Sequence, residues 1–116
     1  MTQRKALVLG ATGIVGSAIT ERLAANGWEV VCASRAGTAV KGTRGVAVDL
    51  LDAAASVRAL AACGGFTHVF FAAYLPAPTR AAEVAPNLAL LANAVNAVEQ
   101  TSPDLQKLIL ITGAKF

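Results

Sequence analysis

Gly10-Ala11-Thr12-Gly13-Ile14-Val15-Gly16 is the stretch that decides how this chain reads. Before it stands Lys5–Gly10 (KALVLG), an almost wholly apolar run of the kind expected for a strand buried on both faces. After it, Ile14 to Ala25 reads as a helix, with Ile14, Ala18 or Ile19, Arg22 and Leu23 returning at helical spacing and Gly27 as its stop. Three glycines at a strand-to-helix junction have a physical use. The first permits a tight turn out of the strand, the second lets backbone approach a pyrophosphate, and the third lets the helix pack closely on the sheet. The helix start then offers unpaired N–H groups and the positive end of its dipole to phosphates. The spacing is G-x-x-G-x-x-G, not G-x-G-x-x-G, and a purely structural glycine-rich turn is the competing reading. On the binding reading, Gly10, Thr12, Gly13, Ile14, Val15 and Gly16 surround the phosphates.

Working outward, the same alternation continues. Glu29–Ala33 (EVVCA) and Val46–Leu50 (VAVDL) read as strands two and three. Ala53–Ala62 is an Ala-rich helix with Asp52 as N-cap and Gly64-Gly65 as its end. Thr67–Ala73 (THVFFAA) is strand four, followed by a loop at Pro76 and Pro78. Pro86 suits the first turn of a long helix to about Gln100, with Leu88, Leu91, Val95 and Val98 as its buried face and Asn93, Asn96 and Gln100 on another stripe. Leu108–Thr112 (LILIT) is strand five. Buried strands alternating with helices imply a parallel sheet covered on both faces, and right-handed connections give the strand order 3-2-1-4-5. The expectation is a three-layer, doubly wound Rossmann-type α/β domain over residues 1–116, halted after its fifth strand.

Composition narrows the function classes. With 116 residues, 55% of them hydrophobic and 15% charged, and a mean hydropathy of +0.57, the chain is one folded domain and not a disordered one. The net charge of +3 reduces to Arg35, Lys41 and Arg44, because the remaining seven basic residues balance seven acidic ones. So local a surplus suits a small anion better than a nucleic acid, and no aromatic platform accompanies it. Ala59 to Thr79 lacks charge, but its glycines and prolines deny it a continuous apolar span, so no membrane partner is expected. Arg4-Lys5 before an apolar stretch mimics a secretory leader, yet Gly10, Gly13 and Gly16 interrupt that stretch at regular intervals. Cys32 and Cys63 lack metal or redox spacing, and a reducing cytoplasm is the expected location.

The end of strand two selects the dinucleotide. An NAD site places Asp or Glu there to accept from the ribose 2′-OH, whereas this chain has Ser34-Arg35. A hydroxyl and a guanidinium bind a 2′-phosphate that a carboxylate would repel, and Lys41 and Arg44 add field to the same pocket. The expected cofactor is NADP(H), against the alternative of a solvated basic loop. Asp49 can accept from the adenine amino group while Leu50 covers the ring; an N-cap role for Asp49 competes on equal terms. Ala72-Ala73 are small enough for a cofactor to pass closely, and tight sheet–helix packing would select the same residues.

These residues together resemble the extended short-chain dehydrogenase/reductase family. Gly13-Ile14, Trp28-Glu29-Val30 with Ser34-Arg35, Thr67–Phe71, Asn87 and Asn93, and Thr112-Gly113-Ala114-Lys115-Phe116 look like its progesterone 5β-reductase/iridoid synthase-like branch. The resemblance implies an NADPH-dependent reductase acting on a carbonyl or activated C=C bond of a small-molecule substrate. It implies that Lys115 holds the nicotinamide-ribose hydroxyls and lowers the pKa of a tyrosine acid, and that the usual catalytic Ser/Thr position falls at Gly113. The only tyrosine, Tyr74, does not form a Tyr-x-x-x-Lys pair, so nucleotide binding without turnover is expected of these residues. A non-catalytic NADP(H)-binding module or redox sensor, and a relative of the sugar-nucleotide epimerases and dehydratases, are the rival readings. An apolar fifth strand at a sheet edge also leads us to expect self-association if these 116 residues are the full chain.

Overall fold

A computed structural model describes residues 4–11 and 13–111. Five parallel strands form one sheet in the order β3-β2-β1-β4-β5. They are β1 (Lys5–Leu9), β2 (Glu29–Ser34), β3 (Arg44–Ala47), β4 (His68–Phe71) and β5 (Lys107–Leu110). Helices α1 (Ile14–Ala25), α2 (Ala53–Cys63) and α3 (Arg80–Thr101) connect them, which is the expected doubly wound α/β arrangement.

Alternation along the strands divides the core in two. Leu7, Leu9, Val31, Ala33, Val69 and Phe71 point to the face covered by α2 and α3. Val8, Val30 and Cys32 point to the other, where Ile19, Leu23 and Ala24 of α1 pack beside Trp28 and Phe70. β1, central in the order, is buried over Ala6–Leu9, as its apolar run requires. The edge strands differ: β3 has no fully buried residue, and β5 leaves Leu108 and Leu110 exposed. Among the described residues no helix is long and apolar enough to cross a membrane.

Several expectations change. β4 is His68–Phe71, so Ala72 and Ala73, expected as the last residues of strand four, lie in the loop beyond it. β3 is Arg44–Ala47, two to three residues earlier than VAVDL, because its register with β2 runs Val31↔Arg44 to Ser34↔Ala47. Asp49 and Leu50 therefore lie in the loop beyond the strand, where the Asp49 carboxylate accepts from Leu51 N at 3.0 Å and bends the chain. α3 starts six residues before Pro86, with the Thr79 hydroxyl accepting from Ala82 N at 3.1 Å as its cap. Pro86 is thus inside the helix, where its missing N–H leaves the carbonyl of the exposed Ala82 to water. The face α3 buries is Leu90, Ala94, Ala97 and Val98, while Leu88 is 60% exposed. Small alanines let α3 approach α2 and the sheet, so burial follows them and not the larger leucine. α1 shows the same effect: Gly16 and Thr20 are buried against the sheet and Ile14 is 91% exposed.

Candidate functional site

The carboxyl ends of β1, β2 and β4 meet at one edge of the sheet, and the first turn begins there. Gly10 leaves β1 with φ +83° and donates its N–H to Ala33 O at 3.1 Å. A Cβ on Gly10 would stand 2.7 Å from the backbone of Ala72 and Ala73, and one on Gly16 would stand 2.0 Å from Gly10 O. Both glycines are demanded by packing inside the protein. Gly13 is different. Its φ is −73°, and among the described residues beyond its chain neighbours a Cβ there would meet only Gly10 O, at an ordinary 3.5 Å. The described residues therefore leave room for a side chain at Gly13, and glycine keeps that room open in front of α1.

Among the described residues, α1 begins at this opening with no side-chain cap, and its first turn carries no acid. Such a helix start is where an anion is best accommodated. Ile14 and Val15, the first two helical residues, are exposed beside it. Thr12 lies outside the described residues, as do Thr112, Gly113 and Lys115.

From Gly10 the space runs into a cleft of about 250 Å³. Gly10 and Ala33 form its base, and Ser34 and Arg35 continue from the end of β2. The Ser34 hydroxyl accepts from Gly37 N at 3.1 Å, which leaves its own proton to donate. One wall is Val48 to Leu51; the other is Ala73, Tyr74 and Leu75, with Leu90 of α3 between. The cleft is apolar at Val48, Leu50, Leu75 and Leu90, and polar where Arg35 and Asp49 border it.

A model of the NAD dependent epimerase/dehydratase family matches residues 6–111. The chain belongs to that family. The family's members include oxidoreductases that bind NAD(P) in a Rossmann-type domain, and this chain has that domain's fold and glycine turn. A Short chain dehydrogenase, gsfE, of Penicillium aethiopicum is 30% identical over 97% of this chain, which spans 33% of that protein's length. Among solved structures, a mutant uronate dehydrogenase from Agrobacterium tumefaciens complexed with NAD superposes with a TM-score of 0.73 at 21% identity. That match covers 96% of this chain and 41% of the dehydrogenase. Gre2 from Candida albicans gives 0.75 at 18% identity, over 92% of this chain and 35% of Gre2. At these identities the structural matches speak for the fold alone.

Within this family member the geometry sorts the residues expected from sequence. Gly10, Ser34, Arg35, Asp49, Leu50 and Ala73 border the same cleft. Gly13 to Gly16 form the helix start beside it, and Ala72 packs under Gly10. Lys41 and Arg44 do not border the cleft. In the parallel register, the Arg44 backbone stands opposite Val31, three residues or about 10 Å behind Ser34. Capping of α2 falls to Asp52, whose carboxylate accepts from Ala55 N at 3.0 Å, and not to Asp49.

Val48, Leu51, Leu75 and Leu90 also border the cleft without having been expected there, as does Tyr74, for which a packing role was the expectation. Tyr74 and Leu75 simply continue Ala72-Ala73, and that continuity was the available signal. Leu90 had none, because the phase of α3 depends on its alanines. His68, whose imidazole burial and then Arg4 and Lys107 hold below its usual pKa, lies at the opposite end of β4.

Proposed function

We propose that this chain is the NADP(H)-binding portion of a short-chain dehydrogenase/reductase-type oxidoreductase. Its reaction would transfer hydride from NADPH to a carbonyl or activated C=C bond of a small molecule. The observation that carries the cofactor choice is Ser34-Arg35 bordering the cleft at the end of β2, where an NAD site has a carboxylate. The residues present fit the dinucleotide. Gly13 leaves an open cradle before the uncapped start of α1 for the pyrophosphate. Val48, Leu50, Leu75 and Leu90 offer an apolar slot for the adenine, Asp49 an acceptor for its amino group, and Arg35 a bidentate donor for the 2′-phosphate.

NADPH supplies the hydride; the residues of this chain bind and orient it. Assignment of Lys115 to the nicotinamide ribose, and of the chain to the progesterone 5β-reductase/iridoid synthase-like branch, rests on the sequence resemblance. The test is titration with NADPH and NADH of the chain and its Arg35→Asp variant. Loss of one charge-assisted contact predicts an NADPH affinity lower by about 10- to 100-fold. NADH affinity should change much less, and equal losses for the two would refute the assignment.

A further inference from the structure

α3 reaches both walls of the cleft through two asparagines six residues apart. Asn87 Oδ1 accepts from Leu75 N at 2.8 Å, and its Nδ2 donates to Leu75 O at 2.8 Å and to Glu83 O at 2.8 Å. Asn93 Nδ2 donates to Leu50 O at 2.6 Å. Among the described residues, Leu75 N–H and C=O and Leu50 C=O have no other hydrogen-bond partner. A carboxamide carries the donor and acceptor of a peptide unit, so Asn87 holds Leu75 much as a neighbouring strand would. The two walls follow β3 and β4, which β2 and β1 separate in the sheet. No strand pairing links them directly. One helix does, through side chains about 9 Å apart along its axis.

We propose that Asn87 and Asn93 are positioning residues that hold the walls of the cleft at a fixed separation, and that this separation sets affinity for the adenosine half of the dinucleotide. The inference rests on the dinucleotide reading given above. Neither asparagine borders the cleft, so each acts through the wall it holds.

The experiment measures two things on the whole chain and its variants well below their melting temperatures. One is amide hydrogen exchange at Leu75 without ligand. The other is the Kd for NADPH and for adenosine 2′,5′-bisphosphate. Asn87→Ala should speed exchange at Leu75 by about tenfold or more, as expected when a sole acceptor is lost. Asn87→Ala and Asn93→Ala should each raise both Kd values by about tenfold, one hydrogen bond's worth. Asn87→Asp keeps the acceptor for Leu75 N but loses both donors, and guards against failure of the alanine variant to fold. It should also weaken binding. Asn96→Ala, which removes only an exposed contact with Gln100, should change neither quantity.

A variant that melts earlier yet binds with wild-type affinity shows a merely structural role and overturns the proposal. Wild-type exchange rates at Leu75 in Asn87→Ala overturn it as well. Wild-type protein that binds neither probe overturns it together with the dinucleotide reading, and the wild-type titration tells those failures apart.

Discussion

The start of α1 and the starts of α2 and α3 are built to opposite rules. α2 and α3 open on Asp52 and Thr79, whose side chains accept from Ala55 N and Ala82 N. Each cap contributes about 1 kcal/mol to stability. α1 opens on Gly13, which has no side chain to cap with, and has no acid in its first turn, although no described residue beyond the chain neighbours would obstruct a Cβ there. Where a helix merely has to start, the chain closes its orphan donors locally. Where phosphates are expected, it leaves them open and neutral. A vacancy that packing does not require is better evidence of a ligand than the glycines on either side, whose absence of side chain the fold explains.

Substitutions test that contrast. The largest effect is expected from Gly16→Ala, which drives a methyl to 2.0 Å from the Gly10 carbonyl oxygen. The atoms it meets are all backbone, so a loss of more than about 3 kcal/mol in chemical denaturation is expected. Wild-type stability in that variant would erase the distinction between packing glycines and Gly13. Gly13→Asp should separate stability from binding. A capping carboxylate with favourable dipole placement leaves the melting point unchanged or raises stability by about 0.5 kcal/mol. Meanwhile repulsion of the pyrophosphate should lower NADPH affinity by more than about tenfold. Parallel loss of both would mean that Gly13 serves the fold after all.

Asp52→Ala should show the converse, a destabilisation of about 1 kcal/mol with unchanged NADPH affinity. The smallest effect concerns the end of the sheet away from the site. Burial, then Arg4 and Lys107, lower the His68 pKa below 6.5, so below that pH the unfolded chain binds more protons than the folded one. Stability should therefore fall as pH drops through 6.5 and level off below the folded value. His68→Gln should flatten the slope without altering NADPH affinity. A slope that persists unchanged would assign the pH dependence to other groups.

Local signals made much of this legible. α1 runs over the expected Ile14–Ala25, Asp52 caps α2, and the sheet has the expected order, because periodicity, caps and connection handedness are properties of neighbouring residues. Signals that depend on a partner misled. Pro86 looked like a helix start because a proline is easiest to place there, yet Thr79 supplied a stronger one. Leu88 looked buried because it is large, yet α3 packs through Ala94 and Ala97.

What the sequence alone determined is the alternating chain, its glycine turn and the Ser34-Arg35 pair at the end of β2. Each of these is written in residues adjacent along the chain. Only the tertiary structure decided that Gly16 is crowded while no described residue crowds Gly13, that Lys41 and Arg44 do not border the cleft, and that Asn87 and Asn93 join its walls. Those facts depend on distances between segments many residues apart, and such distances are set by register and helix phase. Neither can be read from a residue's own chemistry.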